Sequence, residues 1–385
     1  MVKVVHLITG LVRGGAETAL YRLLAGMDRD RFENVVVSLT EAGAMAADIR
    51  ALGVPVHAVR MSRAAPGPAA AWRLLRRLRA ERPDILQTWL YHADLAGLVA
   101  GRLARVPAIA WNVRCAETDA RYRRGLGGLV VRLLARLSSR PDVVVVNSEA
   151  GRRVHAALGY RPRRWLVAAN GFDTALFRPD PAAPAALREA LGLAPDCPVI
   201  GLVARYDPLK DHATFLRAAA LLAGDEPEVR FVLVGAGADD GNPTLTGLVG
   251  ELGLGGRVRL LGERRDVPAL TAGFDIAACS SVGEGFPNVV GEAMACAVPC
   301  VATDVGDSAA LVGETGRVVP PGDPGAMAAA WRELLEMGPA GRAELGRAAR
   351  RRIEEEFTLA AAVGRYEALY AELAGSASGG GPSSR

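Results

Sequence analysis

The chain has no long apolar run. Arg or Gly interrupts every candidate stretch of about 18 residues, so no segment reads as a membrane-spanning helix. Cysteine is sparse: five residues, at positions 115, 197, 279, 296 and 300, form no C-x-x-C pair and have no neighbouring histidines. That pattern argues against both a zinc site and a disulfide framework, and buried free thiols are the expectation. Histidine is as scarce, with five residues. His6 reads as core strand, His57 and His155 as surface, and His212 as the end of a post-strand loop. His92 reads either as a site residue or as a simple helix-start contact. The opening "MVKVVHLITGLVRGGAE" carries a short apolar run without a cleavage site and leads straight into a patterned domain, so it is not read as a secretion signal. A cytoplasmic protein is expected, at or near the inner face of the cell membrane if the charge described next finds its partner there.

Acidic residues are lacking in one half only. Residues 1–178 carry 28 Lys+Arg against 14 Asp+Glu, a net of +14, while the remainder carries 18 against 28, a net of −10. A base-composition bias would explain Arg standing in for Lys, but not an acid deficit confined to one half. The two halves therefore have different electrostatic tasks.

What is present is a rhythm of strands and helices in a chain of 385 residues, long enough for two domains. "KVVHLIT", "NVVVSLT", "PVHAV", "DILQTW", "AIAWNV" and "DVVVVNS" read as buried strands. The segments between them repeat apolar residues at helical spacing, so a parallel sheet covered on both faces is implied. Pro and Ala break the rhythm around 174–197, which reads as a linker. It resumes with "VIGLVAR", "RFVLVG", "RVRLLG", "DIAACSS" and "PCVATD" as a second Rossmann-like domain. The expected division is 1–178 and 179–357, with an amphipathic helix at about 358–374 docking back on the first domain and a disordered tail over 375–385. Two doubly wound domains facing a central cleft would place function in the loops after strands.

Three such loops carry chemistry. In "GLVRGGAE", Gly14 and Gly15 precede a helix, either as a close-approach site for a phosphate or sugar or as a plain tight turn. In "VARYDPLKDH", Arg205 and Lys210 leave one loop, either to neutralise a diphosphate or as a solvated pair. In "GEGFPNVVGEAMACAVP" a helix starts at Pro287 or Asn288, which leaves Glu284 on the loop and Glu292 on the helix. The backbone N–H groups from Phe286 to Val289 are suited to oxygens bearing negative charge, although a capping Glu and a surface Glu would give the same sequence. In "NSEAGRR", Asn147 and Ser148 are read as caps. "VGAGADDG" mimics a dinucleotide fingerprint, but its spacing and two Asp residues would repel a pyrophosphate, so a nicotinamide cofactor is not expected.

Taken in order, "GGAE", "NGFD", the Arg205 and Lys210 loop, "EGFPNVVGEAMACAVP" and "ATDVGD" resemble family 4 of the retaining, nucleotide-sugar-dependent glycosyltransferases. The resemblance runs from residue 4 to about 372. It implies an α/β GT-B fold and a hexosyltransferase-type activity, in polysaccharide or glycolipid biosynthesis, moving a sugar from a UDP- or GDP-sugar to a glycan or lipid-linked acceptor. It also implies roles. Glu284 and the backbone of Gly285, Phe286, Pro287, Asn288 and Val289 would hold the donor sugar, Glu292 the ribose, and Arg205 and Lys210 the diphosphate. Gly15, beside Gly14, would let the first domain approach that phosphate, and Arg264 would lie near the base. The family often has a His after the strand "AIAWNVR"; Arg114 or His92 would take its place here. Ala297 stands where a Gly is usual and Ala310 where an acid is usual. No cofactor, metal or nucleic-acid partner is implied, since the nucleotide-sugar is a co-substrate. The basic first domain is expected to touch anionic membrane lipid, through "WRLLRRLRAERP" and "RYRRGLGGLVVRLLARLSSR". A sugar-nucleotide epimerase and a non-catalytic nucleotide-sugar-binding protein are the alternatives.

Overall fold

The computed structural model describes residues 1–61, 67–114 and 125–378. The chain divides into two compact units, Met1–Gly171 with Leu359–Arg385, and Phe172–Thr358. The division thus falls at Gly171 rather than at 178, and the returning segment joins the first unit at Leu359.

The first unit is a seven-stranded parallel sheet: β1 (Val2–Ile8), β2 (Phe32–Ser38), β3 (Val56–Ala58), β4 (Ile85–Trp89), β5 (Ala108–Val113), β6 (Val143–Val146) and β7 (Trp165–Val167), in the order β3-β2-β1-β4-β5-β6-β7. Alternation along β1 sends Val4 and Ile8 into one core and Val5 and Leu7 into another, as a sheet buried on both faces requires. The first core takes the helix Gly15–Gly26 and the C-terminal helix Leu359–Ser378, whose Val363, Tyr366, Leu369 and Tyr370 are buried. The second takes the helices Pro68–Glu81, Tyr91–Ala104 and Gly125–Leu137.

The second unit is a six-stranded parallel sheet: β8 (Val199–Val203), β9 (Arg230–Val234), β10 (Val258–Leu260), β11 (Ile276–Cys279), β12 (Cys300–Thr303) and β13 (Arg317–Val319), in the order β10-β9-β8-β11-β12-β13. The order reverses between β8 and β11, the kind of position at which open parallel sheets bind ligands.

Three sequence expectations change. The segment read as a linker contains the helix Ala183–Leu191, started by Pro184 in its first turn, with Leu187 buried and Arg188 paired to Asp275 at 2.6 Å. The C-terminal helix continues through Ser378 instead of stopping at 374, and 379–385 lies outside the described residues. His155, expected at the surface, is buried: its Nε2 lies 2.7 Å from the Tyr91 hydroxyl and its Nδ1 2.7 Å from Gly151 O. Cys197, Cys279, Cys296 and Cys300 are free and buried, while Cys115 lies outside the described residues. Among the described residues no helix is long and apolar enough to cross a membrane.

Candidate functional site

The reversal between β8 and β11 is where the singled-out side chains of the second unit meet. The chain leaving β8 is pressed against the glycine turn after β9. Ala204 N donates to Val234 O and Tyr206 N to Ala236 O, both at 2.8 Å. A Cβ on Gly235, whose φ is +152°, would lie 2.1 Å from Ala204 O. "VGAGADDG" therefore shapes the Arg205 loop.

Asp207 then starts a single 3-10 turn, Pro208–Lys210, with its carboxylate accepting from Leu209 N at 3.0 Å and from Arg205 Nη2 at 3.1 Å. Burial alone would raise the Asp207 carboxyl, but the Leu209 N–H and the Arg205 guanidinium outweigh it and hold it below the usual range. Lys210 ends the turn and pairs with Glu284. Burial opposes the Lys210 charge, and the Glu284 carboxylate more than compensates, raising the ammonium above its ordinary value.

A layer of hydroxyls holds this pair. Ser281 Oγ donates to Glu284 Oε1 at 2.7 Å, and Ser280 Oγ donates to Lys210 O at 2.8 Å. Thr303 Oγ1 donates to Ser281 O at 2.5 Å, while Val282 N donates to Leu209 O at 2.9 Å. The "ATDVGD" loop closes the arrangement. Gly306, at φ +60°, brings its Cα so close that a Cβ would stand 2.4 Å from Glu284 O, and Asp307 N donates to Gly285 O at 3.1 Å.

Beyond Glu284 the chain turns inward. Phe286 and Pro287 are buried, and Phe286 packs on Phe172 and Phe357 at centroid distances of 6.1 and 5.7 Å. The helix Asn288–Ala295 follows, with Pro287 at its cap position and Asn288 and Val289 half-buried in its first turn. Glu292 lies one turn further on and is half-buried. Gly291 admits the ring of Phe172, from the "NGFD" stretch: a Cβ there would fall 2.0 Å from Phe172 Cζ. The structure thus brings Arg205, Lys210 and Glu284 together. Arg264 is instead engaged by Asp266, through contacts of 2.8 and 2.7 Å.

In the first unit, Gly14 is the N-cap of the helix Gly15–Gly26, and the buried Glu17 lies against it. A Cβ on Gly14 would be 2.6 Å from Glu17 Oε2, so a local carboxylate already occupies space at this helix N-terminus. His92 is exposed in the first turn of Tyr91–Ala104. Arg114, just past β5, is held from three sides. It donates to Asn170 Oδ1, donates to the Tyr366 hydroxyl at 3.3 Å, and lies 5.3 Å from the centroid of the Trp89 ring. Ser148 caps the helix Glu149–Ala157 by accepting from Gly151 N at 2.9 Å, and Asn147 does not share that task.

Sequence reasoning passed over Ser280, Ser281, Asp207, Thr303 and Gly306. One signal was available: of 46 basic residues only Lys3 and Lys210 are lysines, so Lys210 survives where the chain otherwise uses Arg.

Residues 13–176 match the family model described as Glycosyltransferase Family 4, and residues 197–337 match that of Glycosyl transferases group 1. EpsF of Bacillus subtilis (strain 168), a putative glycosyltransferase, is 30% identical over 314 residues, which cover 78% of this chain and 79% of that protein. The D-inositol 3-phosphate glycosyltransferase of Mycolicibacterium gilvum (strain PYR-GCK) is 36% identical over 218 residues. These cover 54% of this chain and 48% of that relative, so the match spans about half its length. Among solved structures, HepE of Anabaena in complex with UDP-glucose aligns with a TM-score of 0.83 at 26% identity, covering 96% of this chain and 100% of that one.

Proposed function

The chain belongs to glycosyltransferase family 4, and on that premise we propose that it moves a sugar from a UDP-sugar to a hydroxyl of a glycan or lipid-linked acceptor, with retention of configuration. One observation carries the donor side of this reading: Lys210, paired to Glu284, and Arg205, paired to Asp207, are gathered at the point where strand order reverses. HepE, which was solved with UDP-glucose, supports a uridine donor.

In this reading the bond between the sugar's anomeric carbon and the phosphate oxygen breaks, and its electron pair stays on the diphosphate. Arg205 and Lys210 stabilise that charge. The acceptor hydroxyl attacks from the face the phosphate leaves, and the departing oxygen takes its proton. Glu284 grips a sugar hydroxyl and Glu292 the ribose. Arg264 is assigned to the base, and the Gly14–Gly15 turn to close backbone approach by substrate. His92 or Arg114 contacts the reacting sugar. Two fixed cations make a metal unnecessary to the scheme.

The acceptor side of the proposal places the first unit at anionic lipid. The exposed Val99, Leu103, Leu129 and Leu133 share the neighbouring helices Tyr91–Ala104 and Gly125–Leu137 with the exposed Arg102, Arg132 and Arg136. The decisive experiment incubates the protein with radiolabelled UDP- and GDP-sugars, with and without membrane extract. Label entering lipid or glycan supports transfer. Label found only in an epimer, or retained as intact bound donor, replaces the proposal with epimerisation or with simple binding.

A further inference from the structure

On the helix Pro68–Glu81, Arg73 and Arg76 are exposed and Arg77 is half-buried. Arg73, with Arg76 and Arg77 three and four residues further on and so on the same side of the helix, lines a groove against the end of the sheet together with them. Its other wall is β3, the terminal strand, which among the described residues pairs with β2. The groove encloses about 420 Å³, within the range of small-ligand sites.

The lining has three kinds of recognition group. Trp72 is 58% exposed at the rim and offers an indole face. Arg73 is fixed in place by donating to Val59 O at 2.9 Å and to Arg60 O at 3.3 Å, while Arg76 is exposed. His57 supplies a polar ring on the strand wall, and burial together with the Arg77 guanidinium holds it below its ordinary value, so it is neutral at pH 7. One carboxylate, Glu81, stands nearby. It is shared by Lys3 at 3.1 Å, Arg77 at 3.3 Å and His57 at 3.6 Å, which leaves the charges of Arg73 and Arg76 for a ligand.

We propose that this groove binds an acidic sugar chain, with Trp72 stacking on a pyranose ring and Arg73 and Arg76 holding its carboxylate or phosphate groups. An indole face suits the apolar side of a sugar ring, guanidinium groups match carboxylate and phosphate geometry, and the His57 ring suits hydroxyls. A flat bilayer surface would use Trp72 but not a recess. The inference rests on the transferase reading, because it makes the groove a second hold on a growing acidic glycan, outside the donor site of the other unit.

The test uses the whole protein, titrated with an oligogalacturonate hexamer and with maltohexaose while tryptophan fluorescence is followed. The acidic hexamer should bind at least 10-fold more tightly than the neutral one. Arg76→Glu should weaken it 10-fold or more, and Trp72→Phe should abolish most of the fluorescence change. Both variants should melt as the parent does and bind UDP unchanged, which separates failure of the groove from failure of the donor site. Equal binding of the two hexamers, an unaffected Arg76→Glu variant, or a Trp72 signal produced by anionic vesicles or a DNA oligonucleotide and not by the hexamer would each overturn the proposal.

Discussion

Lys210 and Glu284, 74 residues apart in the chain, form an ion pair at the reversal point of the second sheet, and Ser281 donates to the same carboxylate oxygen at 2.7 Å. Both charges are largely screened from solvent, with 23% and 13% of their side chains exposed. Removing Lys210 should cost about 10²- to 10³-fold in kcat, the size of losing one fixed stabiliser of developing negative charge. Glu284→Ala should slow transfer with little change in UDP affinity, whereas Glu292→Ala should weaken UDP binding. In a double-mutant cycle by urea unfolding, Lys210→Ala and Glu284→Ala should couple by about 1–3 kcal/mol, because either alone strands its partner. Additive stability losses would sink the claim that the pair acts as a unit.

Gly306 is expected to be as sensitive as a charged residue although it bears no side chain. An alanine there must hold φ near +60° and place its Cβ 2.4 Å from Glu284 O, against backbone that cannot rotate away. Gly306→Ala should destabilise by about 1–3 kcal/mol and lower transfer together with sugar-donor affinity, since the displaced turn carries Glu284. Gly322→Ala, at a φ of +71° with nothing within 4 Å of the added Cβ, separates the two terms. It should show the backbone cost in a thermal melt and no loss of transfer.

The sequence revealed the strands that are continuous apolar runs, such as "DVVVVNS", because a strand buried on both faces can hardly be composed otherwise. It hid β7 and β13. Each spans three residues at a sheet edge, and Trp165 and Arg317 there are only half-buried. Pro and Ala around 183 read as a break, yet Pro in a first turn starts a helix. Arg205, Lys210 and Glu284 could be singled out by type, as cations after one strand and an acid after another. Their pairing could not, because Lys210 finds Glu284 only after the fold is made. His155 was misplaced for the same reason: "EAGRRVHAAL" looks like a solvated helix until Tyr91, 64 residues away, comes to cover the imidazole.

The C-terminal helix carries polar contacts as well as apolar ones. Tyr366, stacked on Trp89 at 6.2 Å between centroids, accepts hydrogen bonds from Asn112 Nδ2 at 2.9 Å and Arg114 Nη1 at 3.3 Å. Tyr366→Phe keeps the ring and strands the Asn112 amide in a buried site. Urea unfolding should show a loss of about 1–3 kcal/mol with UDP affinity unchanged. For His92→Ala, on an exposed first turn, a drop in kcat with an unchanged urea midpoint would mark a contact with substrate, and a drop in both would mark a structural role.

The first unit should be acid-labile, and two histidines set the window. Burial, opposed only by single hydrogen bonds, pushes both His6 and His155 down to about 4 from an ordinary 6.5. A base whose folded value is depressed binds fewer protons in the native state, so stability is fully present above 6.5 and falls as pH drops toward 4. Each of these rings would cost roughly 3 kcal/mol at the low end and take up about one proton on unfolding, with His57 adding to that uptake and the buried Asp94, its carboxyl held well above the usual range, opposing it. Urea titrations from pH 7 to pH 4 measure that slope directly. His155→Gln should lower the parent stability and reduce the proton uptake by about one, because its ring is gone while His6 keeps its bonds to Asn34 and Trp89. A profile that stays flat down to pH 4 in the parent would mean that these imidazoles are charged, or solvated, in the native fold.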